Sequence, residues 1–154
     1  MPRITALPTD LVTAWRSGAP DAYGNPPERQ VARGSGNPCR HCLDFIPEGT
    51  EMLVLAHRPF AGLHPYAETG PIFVCAAPCA RFEGAGIPPA LRASPDYLLK
   101  GYGADERIVY GTGKVVAADA LMDHAEWALG WPGVAHVDVR SARNNCFQAR
   151  ILPG

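Results

Sequence analysis

The chain has no apolar run of about 18 uncharged residues, and a membrane-spanning helix needs roughly 20. Its opening, Met-Pro-Arg-Ile-Thr, lacks the basic-then-apolar order of a secretory signal. The net charge is −1 and no cluster of lysine and arginine breaks the sequence, which argues against tight binding to a nucleic-acid backbone. Internal repeats, low-complexity tracts and any second compositional zone are also missing. Charged residues reach only 19% against 47% apolar residues, the balance of a globular domain that folds in water. A single domain over residues 1–154 is therefore expected, cytoplasmic, with no membrane and no nucleic acid as partner. The five cysteines are an odd number, which excludes a fully paired disulfide framework, and cytoplasmic thiols stay reduced as ligands or nucleophiles.

Glycine and proline contribute 16 residues each, which predicts many turns and irregular connections. A short helix is expected over Thr9–Arg16, capped by Thr9 or Asp10, with Leu11, Ala14 and Trp15 on one face and Gly18 as its stop. Residues 19–38 read as one long loop, rich in Gly, Asn and Pro, leading into the first cysteine pair. The run Glu51–His57 is apolar on both faces, as a central strand is. Further strands are expected at 71–75, 97–102, 107–110, 114–117, 135–140 and 146–152. Residues 107–110 and 114–117 would pair as a hairpin around Gly111-Thr112-Gly113, and the last two strands around 142–145. Pro78 suggests a helical turn through Phe82. Asp119 is positioned to cap the main helix, about 119–129, which carries Leu121, Ala125, Ala128 and Leu129 on one side and ends at Gly130. The fold class is α+β: a mostly antiparallel sheet, one main helix, a short N-terminal helix and long Pro/Gly-rich loops.

Four cysteines fall in two close pairs, Cys39/Cys42 and Cys75/Cys79, with 33 positions from Cys42 to Cys75. Zinc takes four tetrahedral thiolate or imidazole ligands, and a CxxC turn aims two sulfurs at one ion. Cys39, Cys42, Cys75 and Cys79 are thus the candidate zinc ligands, with His41, His57 or His64 able to replace a sulfur. Arg40, His41 and Arg81 are placed to offset the charge of a four-thiolate site. Buried free cysteines also behave as small hydrophobes, which suits Cys75 at the end of an apolar strand. Thiol redox chemistry fits less well, because Pro47 leaves no room for a helix after Cys42; Cys79, behind Pro78, is the better placed thiol.

Two further constellations stand out. The loop 57–70 gathers His57, Arg58, His64, Tyr66 and Glu68. If these converge with Arg140, then His64, Tyr66, Glu68 and Arg140 are candidate acid–base residues. In the last hairpin, alternation gives His136, Asp138 and Arg140 a shared face, with Val137 and Val139 toward the core. Beyond the turn Cys146, Gln148 and Arg150 share a face, opposite Phe147, Ala149 and Ile151. Such a ladder is most often a solvated sheet surface. Lining a concavity instead, Arg140 and Arg150, with Arg58 from the loop, would suit an anionic ligand. Gly111-Thr112-Gly113-Lys114 is too short a motif for a phosphate loop.

The segments Gly24-Asn25-Pro26-Pro27-Glu28, Gly36-Asn37-Pro38-Cys39-Arg40-His41-Cys42-Leu43 and Pro65-Tyr66-Ala67-Glu68-Thr69-Gly70-Pro71-Ile72-Phe73 resemble a bacterial family of proteins of this size. Gly101-Tyr102-Gly103, Arg107 through Gly113, Val139-Arg140-Ser141-Ala142 and Asn145-Cys146-Phe147-Gln148 extend the likeness over nearly the whole chain. The family is domain of unknown function 1203, so the resemblance implies no activity. Similar sequences carry histidine where Cys75 stands, an exchange between two zinc ligands. More distant ones carry serine in place of Cys42, which would confine a zinc site to one branch, and histidine is expected in place of Asp138.

Three functional readings follow. In the leading one, four cysteines hold a structural zinc, and a small molecule or partner binds beside the pinned loop. In the second, an enzyme uses the 57–70 loop without a functional metal. In the third, exposed prolines and aromatics recognise a protein partner.

Overall fold

The computed structural model describes all 154 residues and has the α+β architecture, with every strand pair antiparallel. In chain order the elements are β1 (Arg3–Thr5), α1 (Thr9–Arg16), β2 (Glu28–Val31), β3 (Glu51–His57), β4 (Gly70–Cys75), β5 (Asp96–Tyr102), β6 (Lys114–Ala117), α2 (Leu121–Leu129), β7 (His136–Ser141) and β8 (Phe147–Leu152). Single 3-10 turns lie at Pro89–Leu91 and Ala118–Ala120. No helix is long and apolar enough to cross a membrane.

The strands form two sheets, one of five in the order β1-β8-β7-β5-β6 and one of three in the order β2-β3-β4. Each has its own core. On one face of the larger sheet Tyr97, Leu99, Val137, Val139, Ala149 and Ile151 pack beneath Leu121, Ala125 and Ala128 of α2. The period-2 alternation of the strands meets the stripe of the helix there, which is how both bury their apolar sides at once. The second core joins Val12 and Trp15 of α1 to Leu53, Leu55, Ile72 and Val74 of the smaller sheet. Phe147 belongs to this second core although its strand lies in the first sheet. A β-bulge explains it: the register shifts between Val139 and Arg140, so Phe147 pairs with Arg140 and shares its face. Phe147, expected on the side opposite Arg150, thereby joins the face that Arg150 shares with Asp138.

Several local expectations are corrected. Residues 19–38 include a strand: β2 pairs with β3 from Glu28↔Val54 to Val31↔Glu51. All four of its residues are exposed, so no hydrophobic pattern marks it. The Asp21 carboxylate gathers the chain before it by accepting the backbone N–H groups of Tyr23, Asn25 and Ala56. Residues 107–110 are not a strand, apart from a single bridge between Ile108 and Tyr102, and β6 pairs with β5 instead. Thr112 is responsible. Its hydroxyl accepts Gly101 N–H at 2.9 Å and donates to Val109 O at 2.6 Å, folding 109–112 back across β5.

No helical turn follows Pro78. The backbone donor that would close it is engaged elsewhere, since Phe82 N–H donates to His41 O, and the Arg81 side chain anchors the segment on the carbonyls of Leu7 and Ala6. In α1 the cap position is Pro8 and the buried pair is Val12 with Trp15, while Ala14 is exposed. Asp119 falls in the 3-10 turn before α2 and makes no side-chain cap. The polar ladder of β7 is no solvated surface either: His136, Asp138 and Arg140 are all buried, covered by the 57–70 loop and the end of β3.

Candidate metal centre and neighbouring polar sites

The segment around Cys39 is a small closed hairpin. Cys39 N–H donates to Asp44 O, Leu43 N–H to Cys39 O and Ile46 N–H to Asn37 O. Leu43 closes the turn at φ 53°, a left-handed conformation for a leucine that is itself buried. The hairpin docks on β4 through Arg40 N–H to Phe73 O, which brings it beside Cys75 at the strand's end. Cys79 comes in on the loop tied to His41 O by Phe82.

The structure brings the four cysteines together. Their sulfurs all lie within 4.8 Å of one another, with Cys39 Sγ and Cys79 Sγ 3.9 Å apart, and this set is able to hold a metal ion. Two thiolates at the corners of a tetrahedron with metal–sulfur bonds of about 2.3 Å are about 3.8 Å apart, so the spacing fits. Cys39 is fully buried and the other three are partly exposed. All five cysteines are free thiols, and Cys146 stands outside the group.

Donors already surround the sulfurs. The backbone N–H groups of His41 and Cys75 point at Cys39 Sγ at 3.4 and 3.3 Å. Arg16 Nη2 donates to Cys79 Sγ at 3.2 Å, and its Nε donates to Cys75 O. His41 Nδ1 lies 3.1 Å from Cys79 Sγ while its Nε2 meets Thr9 Oγ1 at 2.9 Å. The sulfurs also shift one another's protons. Hydrogen bonds with Cys42 and then Cys75 hold Cys39 down at about 6, and Cys79 is lowered by Cys39, Cys42, Cys75 and then His41. Cys42 and Cys75 are raised, each chiefly by its bond with Cys39, because thiolates this close resist further ionisation. Arg40 is buried with its Nε on Phe147 O and Nη1 on Pro38 O; burial lowers it to about 10, so it stays charged beside Cys39.

Of the expected charge partners, His41 and Arg40 are in place and Arg81 is not, being spent on Ala6 and Leu7. Arg16 takes that role, and nothing in the sequence around it points there. His57 and His64 lie outside the sulfur group. A surface hollow of about 710 Å³ opens beside Cys42, Cys75 and Cys79, lined also by Phe45, Pro47 and Glu51.

The 57–70 loop lies on the polar face of the larger sheet. Glu68 pairs with Lys100 Nζ at 3.2 Å and with Arg140 Nη1 at 3.3 Å, and accepts Asn145 Nδ2. Burial raises its pKa, but Arg140 and Lys100 outweigh that and leave it lowered. Glu68, Arg140 and His57 line a hollow of about 180 Å³; His64 and Tyr66 are not among its lining residues. His64 Nδ1 instead accepts Tyr66 N–H, and the Tyr66 hydroxyl meets that of Tyr110 at 2.9 Å. Arg58 and Arg150 line a different cleft with His57, while Arg140 lies outside it. Asp138, wholly buried, holds Arg150 through two bonds. Burial, followed by the charges of Arg150, Arg40 and Arg58, pushes His57 down to about 4.

No curated protein and no solved structure matches the chain. Residues 36–152 match the family described as "Protein of unknown function (DUF1203)". The match covers both cysteine pairs, the 57–70 loop and the last hairpin.

Proposed function

The chain belongs to the DUF1203 family, whose description carries no activity, and from its own residues we propose that it holds one structural zinc ion through Cys39, Cys42, Cys75 and Cys79. The supporting observation is the convergence of four sulfurs within 4.8 Å, from segments that are distant in sequence. When bound, the ion supplies a cross-link rather than a reaction, because four thiolates leave no open coordination position. The residues around it do the rest. Arg16, Arg40 and the N–H groups of His41 and Cys75 offset the surplus negative charge, and His41, held by Thr9, orients Cys79. The cross-link ties the 38–45 hairpin to the end of β4 and to the loop that packs under β1 and α1. Iron is the other common occupant of four thiolates, but nothing here calls for electron transfer.

Native mass spectrometry of untagged protein, before and after acid denaturation, tests this. One zinc per chain, released on denaturation, is expected, with Cys146 the only thiol that reacts fully under native conditions. A metal-free mass with all five thiols freely alkylated would overturn the reading. A coloured iron form would overturn the identity of the metal.

A further inference from the structure

Between β1, the start of α1 and the loop after β3 lies a cleft of about 520 Å³ that shares no lining residue with the metal centre. Its size is that of small-molecule sites. Four arginines line it, Arg3, Arg58, Arg81 and Arg150, against one acidic residue, Glu106. In a chain of net charge −1 this is a local reversal of sign.

Part of that positive charge is uncompensated. Arg150 is neutralised by Asp138, but Arg3, Arg58 and Arg81 take part in no ion pair. Arg81 binds only the neutral carbonyls of Ala6 and Leu7. Glu106 is held away from these arginines, since both its oxygens accept Ala61 N–H at 3.1 and 2.9 Å, and its charge still leaves the cleft positive. Arg150 is held on Asp138 and on Pro59 O, so its position is fixed before anything binds.

A second observation is independent of the charges. His57 also lines the cleft, is 9% exposed, and its buried Nε2 has no hydrogen-bond partner in the protein. Buried ring nitrogens are normally partnered, and this ring stands between the cationic cleft and the smaller hollow beside Glu68. Apolar surface completes the lining, from Phe60, Phe147, Leu11 and Leu152.

We propose that this cleft binds a small organic anion, an apolar body seated on Phe60 and Phe147 with a carboxylate or phosphate facing Arg58, Arg3 and His57. Guanidinium groups recognise both heads through paired N–H donors, and the aromatic wall gives the body a dry contact that a bare inorganic ion cannot use. The site does not depend on the metal reading.

The test titrates the protein as purified with benzoate and phenyl phosphate. Benzyl alcohol, benzylamine and inorganic phosphate serve as matched controls, and the readout is NMR shifts of the His57 ring and the arginine Nε–H groups. The expected result is that at least one aromatic anion shifts His57 and Arg58 and binds about tenfold or more tighter than every control. The double variant Arg3→Gln/Arg58→Gln, which breaks no ion pair, loses that binding with an unchanged melting temperature. The Arg3→Lys/Arg58→Lys variant retains part of it. Equal binding of benzyl alcohol, shifts confined to other surfaces, or no shift at tens of millimolar anion would overturn the proposal.

Discussion

Asp138 lies wholly inside the protein and receives Arg150 through two parallel bonds, Nε to Oδ1 at 2.7 Å and Nη2 to Oδ2 at 3.0 Å. The two residues face each other across β7 and β8. Their surroundings differ, since the Arg150 side chain keeps 26% exposure and Asp138 none. Removing the arginine strands a buried carboxylate, while removing the carboxylate leaves an arginine that still reaches water. Arg150→Met is therefore expected to cost about 3–5 kcal/mol, and Asp138→Asn clearly less. Urea melts of both variants check this; equal losses would show that Asp138 is hydrated after all.

Arg16 touches the sulfur group from outside, through Nη2 on Cys79 Sγ and Nε on Cys75 O. Partners of this kind tune a metal site without being ligands. Arg16→Met is expected to weaken zinc binding by about 10–100-fold while leaving one zinc per chain at saturation. Competition with a chromogenic chelator measures it. An unchanged affinity would mean that the arginine holds only the Cys75 carbonyl.

Gly101 sits where a side chain does not fit. A Cβ there would come within 2.8 Å of Thr112 Oγ1 and 3.2 Å of Val134 Cγ2. The same hydroxyl accepts Gly101 N–H, so the glycine and the threonine form one latch. Gly101→Ala is expected to cost about 1–3 kcal/mol by overpacking, and Thr112→Val a similar amount by stranding a buried N–H. Because both break one contact, the double variant should lose less than the sum of the two. Additive losses in thermal melts would show two separate interactions.

The cysteine pairs were legible because each is a local pattern, and a short turn fixes where its two sulfurs go. Strand β3 and the β7–β8 hairpin were legible for a related reason, as apolar runs bounded by turn residues. Strand β2 was not, since Glu28–Val31 buries nothing and is held by backbone bonds to β3. The 109–112 fold-back depends on a hydroxyl reaching another strand, and Arg16 depends on where a helix ends relative to a distant loop. Alternation correctly placed His136, Asp138 and Arg140 on one face. What covers that face is a tertiary fact, and one extra residue in β8 sends Phe147 to the side the pattern denied it. Convergence of the four sulfurs was a hypothesis of spacing until β4 and the 38–45 hairpin were seen to dock.

His57 gives the stability of the protein a defined dependence on pH. In the unfolded chain the ring titrates at about 6.5, and in the folded protein burial and the nearby arginines push it down to about 4. Between these values the unfolded state binds the extra proton, so stability falls as pH falls through this window and is fully present above it. The expected loss from this ring is about 2 kcal/mol by pH 5 and about 3 kcal/mol at its limit. His57→Gln removes the titration but not the other groups, including His136, which burial also lowers, and the thiols. Chemical denaturation of both proteins at pH 7.5 and pH 5 should therefore show the wild type losing about 2 kcal/mol more than the variant over that interval. Identical losses would mean that His57 takes up its proton in the folded state, with the cleft arginines too far away to oppose it.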